Sequence, residues 1–549
     1  MSPSRRDVLR LTGGAFLASI GAPAVLGASR GRADLVIRGG TVIDGTGAAG
    51  VEADVVIVGG RVQRIAPRAS EAGAEEIDAR GLAVAPGFID IHSHGDGTLF
   101  DDPRAESALR QGVTTIIVGA DGGSRAPARG EVEAGSTRFA TFTDYFAAID
   151  ALRSSVNVAS MVGLGAVRGA VVGMDDRPAT KDELNRMTRI VEQALTDGAC
   201  GASSGLEYTP GAFASLEELI TLSRPLARRR LPYASHMRNE DDRLLDAIRE
   251  AIAVAEGAGC PLQISHLKTQ GPRNWDSLDD AFKLVEDAVA RGTDAAFDRY
   301  PYVAYQTTLA NLFPVSSRDG GTQRFLARLS DPSTSPAIRQ AVLAKVELIG
   351  GWGNVQVSGV RNPADRAAEG QRMDAYATSI GQDPYDATVA LLERNGGNVG
   401  MVGFAMSEEN LERILAHPLG MVCSDGGAFA VDGPARVGHP HPRGLGTFAR
   451  VLGRYVRERR VLSLEEAVHK MSGRPASRVR LADRGRLAEG TAADVVVFDP
   501  ATVSDQATFD DPFAYATGIS AVVVNGVVAM REGERLQGTG TGRALRPGS

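Results

Sequence analysis

The sequence predicts an α/β protein of parallel strands joined by helices, with a smaller β domain drawn from both ends of the chain. Three observations lead there. Apolar, strand-like runs alternate with helical stretches through the middle of the chain, and parallel neighbours need a crossover, usually a helix. Short β-rich runs separated by glycine pairs occupy both ends. The 549 residues exceed what a single hydrophobic core usually holds.

The chain opens with Ser4-Arg5-Arg6-Asp7-Val8-Leu9-Arg10, two adjacent arginines ahead of an apolar run from Leu11 to Leu26. Ala22-Pro23-Ala24 offers a cleavage site, and Gly13-Gly14 and Pro23 argue against an ordinary helix. This is the layout of a twin-arginine export signal. Residues 1–29 are therefore set apart from the fold, and the precursor is expected to use the twin-arginine export machinery and become periplasmic or extracellular.

The β-rich runs that follow are Asp34 to Arg38, Thr41 to Asp44 and Asp54 to Val58, with turns at Gly39-Gly40 and Gly59-Gly60. Ala493 to Phe498 and Ala521 to Val528 read the same way near the other end. Residues 30–85 and 479–549 are thus expected to form one small β domain around a larger one at 86–478. Within the larger domain, strand runs such as Thr114 to Val118, Asn157 to Val162 and Leu262 to Ser265 are separated by helices, among them Leu216 to Arg228 and Asp242 to Glu256. Pro225 should kink or end the first of these near Arg224. From about 307 to 371 the alternation fades into a Ser-, Asp- and Arg-rich stretch, read as an insertion that forms a lid. Periodicity does not choose between a closed barrel and a doubly wound sheet.

Composition narrows the function classes. A net charge of -7 with scattered basic residues gives no nucleic-acid-binding face. No run of about 20 apolar residues follows the N-terminus, so no membrane span is expected. Cys200, Cys260 and Cys423 are too few for a disulfide framework and read as buried free thiols.

Chemistry concentrates at strand ends. In Gly87-Phe88-Ile89-Asp90-Ile91-His92-Ser93-His94 the two histidines alternate along a strand and share one face. Two imidazoles there can hold one cation, and zinc accepts them readily. On a buried strand, unpaired imidazoles would be costly. His236 and His266 each end a strand-like run, Leu231 to His236 and Leu262 to His266. Asp425 ends another, Gly420 to Asp425, where a carboxylate can bind metal and take a proton from water. His439-Pro440-His441-Pro442 is set apart by its prolines, which exclude a central strand, and is expected to line a pocket.

This order of residues resembles the amidohydrolase superfamily, and more narrowly the N-acyl-D-amino-acid deacylases (D-aminoacylases). The matching segments are GFIDIHSH from Gly87, QGVTTIIVG from Gln111, SSGLEYTPG from Ser203, ASHMRNE from Ala234 and QISHLK from Gln263. DRYPYVA from Asp298, CSDGG from Cys423, HPRGLGTF from His441 and ADRGRLAEGTAADVVVFDP from Ala482 complete the set. The resemblance implies a (β/α)₈ TIM-like barrel carrying a zinc site, with a small β-sandwich domain formed from both chain ends. It implies a tighter zinc at His236 and His266, and a second, weaker position at His92, His94 and Asp425. Lys268, Tyr300 and Arg436 are the implied binders of the substrate carboxylate. Two departures stand out. Asp121 occupies the place of a cysteine that ligates or bridges zinc in the relatives, and Leu164 stands where relatives usually carry a histidine.

The implied reaction is hydrolysis of the amide bond of an N-acyl-D-amino acid, a small molecule, with Asp425 as base and then acid. A hydantoinase- or dihydroorotase-like cyclic-amide hydrolase is the rival enzyme. Those relatives place a carboxylated lysine between the metals, and no lysine sits at a matching strand end between Ala120 and His236. A non-catalytic barrel scaffold is the rival of another class; it would have no need of all four histidines and the late aspartate.

Overall fold

A computed structural model describes residues 32–128, 137–538 and 540–548 of the chain. The expected export signal falls outside the described residues.

Parallel strands and helices form the larger part. One parallel sheet runs in the order Gly420–Val422, Ala295–Arg299, Leu262–Ile264, Tyr233–His236, Ala202–Gly205, Val162–Gly163. A second holds Phe88–Asp90, Val113–Val118 and Asn157–Ser160. The two are continuous in the chain between Asn157 and Gly163, and Met161 N donates to Val118 O at 2.8 Å. Beyond the outermost strands, Asp425 N donates to His92 O and His94 N to Gly426 O, both at 2.9 Å. Alternate residues along these strands serve different cores. Ile117, Ala159, Ala234, Ala296 and Met421 belong to one buried cluster, and Val118, Val158, Tyr233, Phe297 and Val422 to another. Such two-sided burial is what makes the runs read as continuously apolar.

The helices between the strands are amphipathic and capped. Lys181–Asp197 starts at a Thr180/Glu183 capping box, buries Met187, Val191 and Leu195, and stops at Gly198, whose φ of 117° only glycine adopts freely. Leu216–Ala227 runs past Pro225 instead of ending at Arg224. The proline sits in the last turn, where few downstream bonds are lost, and buried Leu222 and Leu226 hold that turn to the core. The next helix begins at Leu244 rather than Asp242. Arg168 and Glu218 form a buried pair at 2.6 Å between Leu164–Val171 and Leu216–Ala227.

The insertion is longer than the sequence suggested. An antiparallel sheet of Ala304–Thr308, Gly400–Phe404 and Val355–Gly359 encloses helices, among them Ser335–Leu348 and Pro384–Arg394, so the segment extends to Phe404. Its own apolar residues, including Phe313, Phe325, Leu391 and Met401, are buried.

Both chain ends contribute to a nine-stranded sheet in which Val495–Phe498 pairs with Ala83–Pro86 and Ile519–Val524. Ile37, Val55, Val84, Val495 and Val523 pack together on it. The last residues leave this sheet: Val158 N donates to Arg543 O and Leu545 N to Val158 O, which ties the C-terminal segment to the larger part. Cys200, Cys260 and Cys423 are free and buried, as expected. No helix among the described residues is long and apolar enough to cross a membrane.

Candidate metal centre and active site

The site is built where strands end. Val113–Val118, Leu262–Ile264 and Gly420–Val422 are followed within three residues by Asp121, His266 and Asp425. All three take left-handed backbone, with φ of 51°, 35° and 49°. For a residue with a Cβ, such a conformation costs on the order of 1–3 kcal/mol and persists where surrounding structure fixes it. The strand Phe88–Asp90 ends before His92 and His94, so the pair stands just past the strand rather than on it. Their rings still converge, with centroids 5.4 Å apart.

Asp121 is the hub. Its Oδ1 is 3.4 Å from His92 Nε2, and its Oδ2 is 3.5 Å from His94 Nε2, 3.7 Å from His236 Nδ1 and 3.6 Å from His266 Nε2. Asp425 Oδ1 faces two of these histidines, 3.4 Å from His92 Nε2 and 3.1 Å from His94 Nε2. His236 Nδ1 and His266 Nε2 are 3.0 Å apart. One oxygen or nitrogen each from His92, Asp121, His266 and Asp425 falls within the spacing a single cation needs, and His236, Glu240 and His266 form a second such group.

A ring of further groups holds this set. Asp298 Oδ1 lies 3.5 Å from His92 Nδ1, accepts from His266 N at 2.8 Å, and its Oδ2 accepts from Gln263 Nε2 at 2.7 Å. Glu207 Oε2 is 3.6 Å from His236 Nε2. Arg443 donates to Asp425 Oδ2 at 2.7 Å. Ser424 donates to Asp90, fixing the loop that presents Asp425.

Charge is the main constraint on these groups. Burial alone would raise the Asp121 pKa, yet His92 and His266 hold it well below the usual carboxylate range. Burial acts the same way on Asp425, and there Arg443, His266 and His92 outweigh it and keep the carboxylate ionised. Burial would strip the proton from His92, and Asp121 and Asp425 reverse that, raising its pKa well above the ordinary imidazole value. Protons on imidazoles thus balance buried carboxylates, a role a divalent cation fills when the ligands give those protons up. His92 Nε2, Asp121 Oδ1 and His236 Nε2 are buried without a hydrogen-bond partner. Nitrogen and oxygen donors at this spacing fit zinc.

Beside this cluster is a cavity of about 620 Å³ whose lining includes His94, Asp121, His236, His266, Lys268, Tyr300, Asp425 and Arg443. Of the three residues expected to bind a carboxylate, Lys268 and Tyr300 are there. Arg436 is not. It is exposed, donates to Val431 O at 2.8 Å and stacks over Phe513 at 4.3 Å, away from the cavity lining. Arg443, seven residues on, lines the cavity instead, with its guanidinium 4.7 Å over the Tyr300 ring. Arg443 belongs to the segment HPRGLGTF and opens the helix Arg443–Arg450. His439 and His441 do not line the cavity either. They pin loops, through Phe509 O at 2.7 Å and Ala304 O at 2.9 Å. Leu164 is buried in the apolar core at the start of its helix. Glu240, Asp298 and Glu207 are not singled out by the sequence reading; the available signals are a carboxylate four residues after His236 and, for Asp298, a carboxylate ending the apolar run Ala295–Phe297.

Residues 75–530 match the Amidohydrolase family. The D-aminoacylase of Alcaligenes xylosoxydans xylosoxydans is 36% identical over 521 residues, covering 93% of this chain and 97% of that protein. A crystal structure of N-acyl-D-glutamate deacylase from Bordetella bronchiseptica, complexed with zinc and a phosphonate inhibitor, superposes with a TM-score of 0.81 at 35% identity, covering 94% of this chain and all of that one. A D-aminoacylase structure described by its binuclear metal centre superposes with a TM-score of 0.79 at 36% identity, with the same coverage. With family, relatives and the convergent histidines in agreement, this chain belongs to the amidohydrolase family.

Proposed function

We propose that this protein hydrolyses the amide bond of N-acyl-D-amino acids, giving a carboxylate and a free D-amino acid, with zinc as its resident metal. The observation that carries the reading is the meeting of two groups in one cavity. Four imidazoles and two carboxylates converge, and Lys268, Tyr300 and Arg443 line the cavity directly beside them. The relatives named above act on N-acyl-D-amino acids by their names, which supports the same substrate class here.

We assign His236 and His266 to the tighter ion and His92, His94 and Asp425 to a second, weaker position, with Asp121 reaching both. The spread of Asp121 contacts over all four histidines supports this. Zinc held there lowers the pKa of water and polarises a carbonyl. Asp425 accepts the proton of the attacking water and returns it to the nitrogen as the carbon–nitrogen bond breaks. Arg443 holds Asp425 by one guanidinium nitrogen while its place over Tyr300 keeps it at the cavity wall. Lys268, Tyr300 and Arg443 bind the substrate carboxylate, a task suited to fixed cations and a hydroxyl.

The framework of this reading is a (β/α)₈ barrel with a small β domain from both chain ends. Nine parallel strand segments, of which Asn157–Ser160 and Val162–Gly163 are consecutive and make one strand position, and the bonds between the His92 and Asp425 segments support closure. Arg5-Arg6 and the apolar run after them support export by the twin-arginine route; replacing both arginines by lysine should leave the protein in the cytoplasm.

The deciding experiment is chromatographic detection of amine release from paired N-acetyl-D- and N-acetyl-L-amino acids by zinc-loaded enzyme. Release from the D series alone supports the proposal. No release from either, with zinc bound, moves the enzyme to another amide.

A further inference from the structure

His266 of the histidine cluster and Lys268 of the cavity lining share one carboxylate. Glu240 is 2% exposed. Its Oε1 is 3.0 Å from His266 Nδ1 and accepts from Lys268 Nζ at 2.6 Å, while its Oε2 accepts from Gln270 Nε2 at 2.8 Å. Its segment is tied down as well, since Gln270 N donates to Glu240 O at 2.9 Å.

The second ring nitrogen of His266 is held by this geometry. Its Nε2 faces Asp121 and His236, the side on which a cation would be held, and its Nδ1 faces Glu240 and Lys268. Lys268 Nζ hydrogen-bonds Nδ1 at 2.7 Å and donates to Glu240 Oε1 as well, so the carboxylate fixes the ammonium and the ring together. Both Glu240 oxygens are then engaged, by His266 and Lys268 on one and Gln270 on the other. That favours a supporting role over direct ligation.

We propose that Glu240 is a positioning residue that fixes His266 as a metal ligand and Lys268 as a substrate-carboxylate clamp, so that one side chain sets both metal retention and substrate recognition. The clamp half rests on the deacylase reading above. Groups that hold the second nitrogen of a ligating histidine typically change metal affinity or activity 10- to 100-fold when replaced.

The test is Glu240→Gln, which keeps the size of the side chain and removes its charge. The zinc-loaded variant is expected to release zinc to a chromophoric chelator on the order of ten times faster than the wild type. Its KM should rise for N-acetyl-D-amino acids but not for the matching carboxamides, and that rise should vanish in a Lys268→Met background, where no clamp remains to be positioned. A zinc-release rate unchanged in a variant of wild-type melting temperature, with KM moved equally for acid and carboxamide, overturns the proposal. Should Glu240→Gln not fold, Glu240→Asp, which keeps the charge and draws the oxygens back, goes through the same measurements with the same directions expected. If the wild type cleaves no N-acyl amino acid, the deacylase reading fails, while the zinc-release comparison still decides whether Glu240 holds His266.

Discussion

Arg443 donates to Asp425 across 2.7 Å, and both side chains are buried. The pair joins the residue assigned to proton transfer with a residue assigned to the substrate carboxylate. Asp425→Asn is expected to cut turnover by a factor on the order of 10²–10⁴, the usual contribution of a positioned base. Zinc should stay at His236 and His266. Elemental analysis beside the amine-release assay checks both; full activity of the variant would remove Asp425 from the mechanism.

Asp121 offers oxygen where a thiolate would make the centre softer. Oxygen ligands suit harder ions such as manganese, and thiolate selects zinc. Asp121→Cys is expected to raise the ratio of zinc to manganese taken up in competition. Equal ratios in both proteins would show that the histidines, not this residue, set the metal preference.

The buried Arg168–Glu218 pair is not among the metal-cluster residues and joins two helices. Glu218→Gln leaves the guanidinium without its counter-charge, and breaking such a pair typically costs about 3–5 kcal/mol. A lower urea midpoint with unchanged zinc content is the expected result. A midpoint equal to the wild type's would mean that Arg177 O, the other acceptor of Arg168, carries the load alone.

Lys470 supplies a pH dependence. Burial brings its pKa down from 10.5 to about 8, against a smaller upward pull from Glu466. The unfolded chain keeps that proton to about 10.4. Between about pH 8 and 10 the unfolded state therefore binds more protons, and this side chain's contribution to stability rises with pH. Lys470→Met removes the titration, so the stability of the wild type relative to the variant should grow from pH 7.5 to 9.5 in matched denaturation curves. A flat difference would show that the carbonyls of Leu415 and His417, which Lys470 bonds, keep the ammonium charged in the fold.

His92, His94, His236, His266 and Asp425 were legible because each ends an apolar run, and a polar residue at the end of a buried strand is conspicuous in one dimension. The terminal strands were legible for the same reason, through glycine pairs that close β-rich runs. Arg443 and Glu240 were harder to see. Glu240 sits in a loop and Arg443 at the very start of the helix Arg443–Arg450, where no period marks which side chain turns inward, and their partners are set apart in sequence: His266 and Lys268 for one, Asp425 for the other. Arg436, in the loop that precedes the helix of Arg443, illustrates the difficulty. The far limit of the insertion was missed because Gly400–Phe404 pairs with strands about 45 and 95 residues upstream, and such long-range pairing leaves no local trace.

The reach of Asp121 to four histidines has a mechanical side. Those residues, with Asp425, come from the beginning, middle and end of the larger part of the chain. An ion bound among them ties together loops of a hundred residues or more, and the entropy recovered on cutting such a tie depends only weakly on loop length. Metal would therefore act as a late rivet, fastening a fold whose strands have already met. Removing it with a chelator is expected to lower the temperature of the main unfolding step and to split it, as the rim loosens ahead of the sheet that joins the two chain ends.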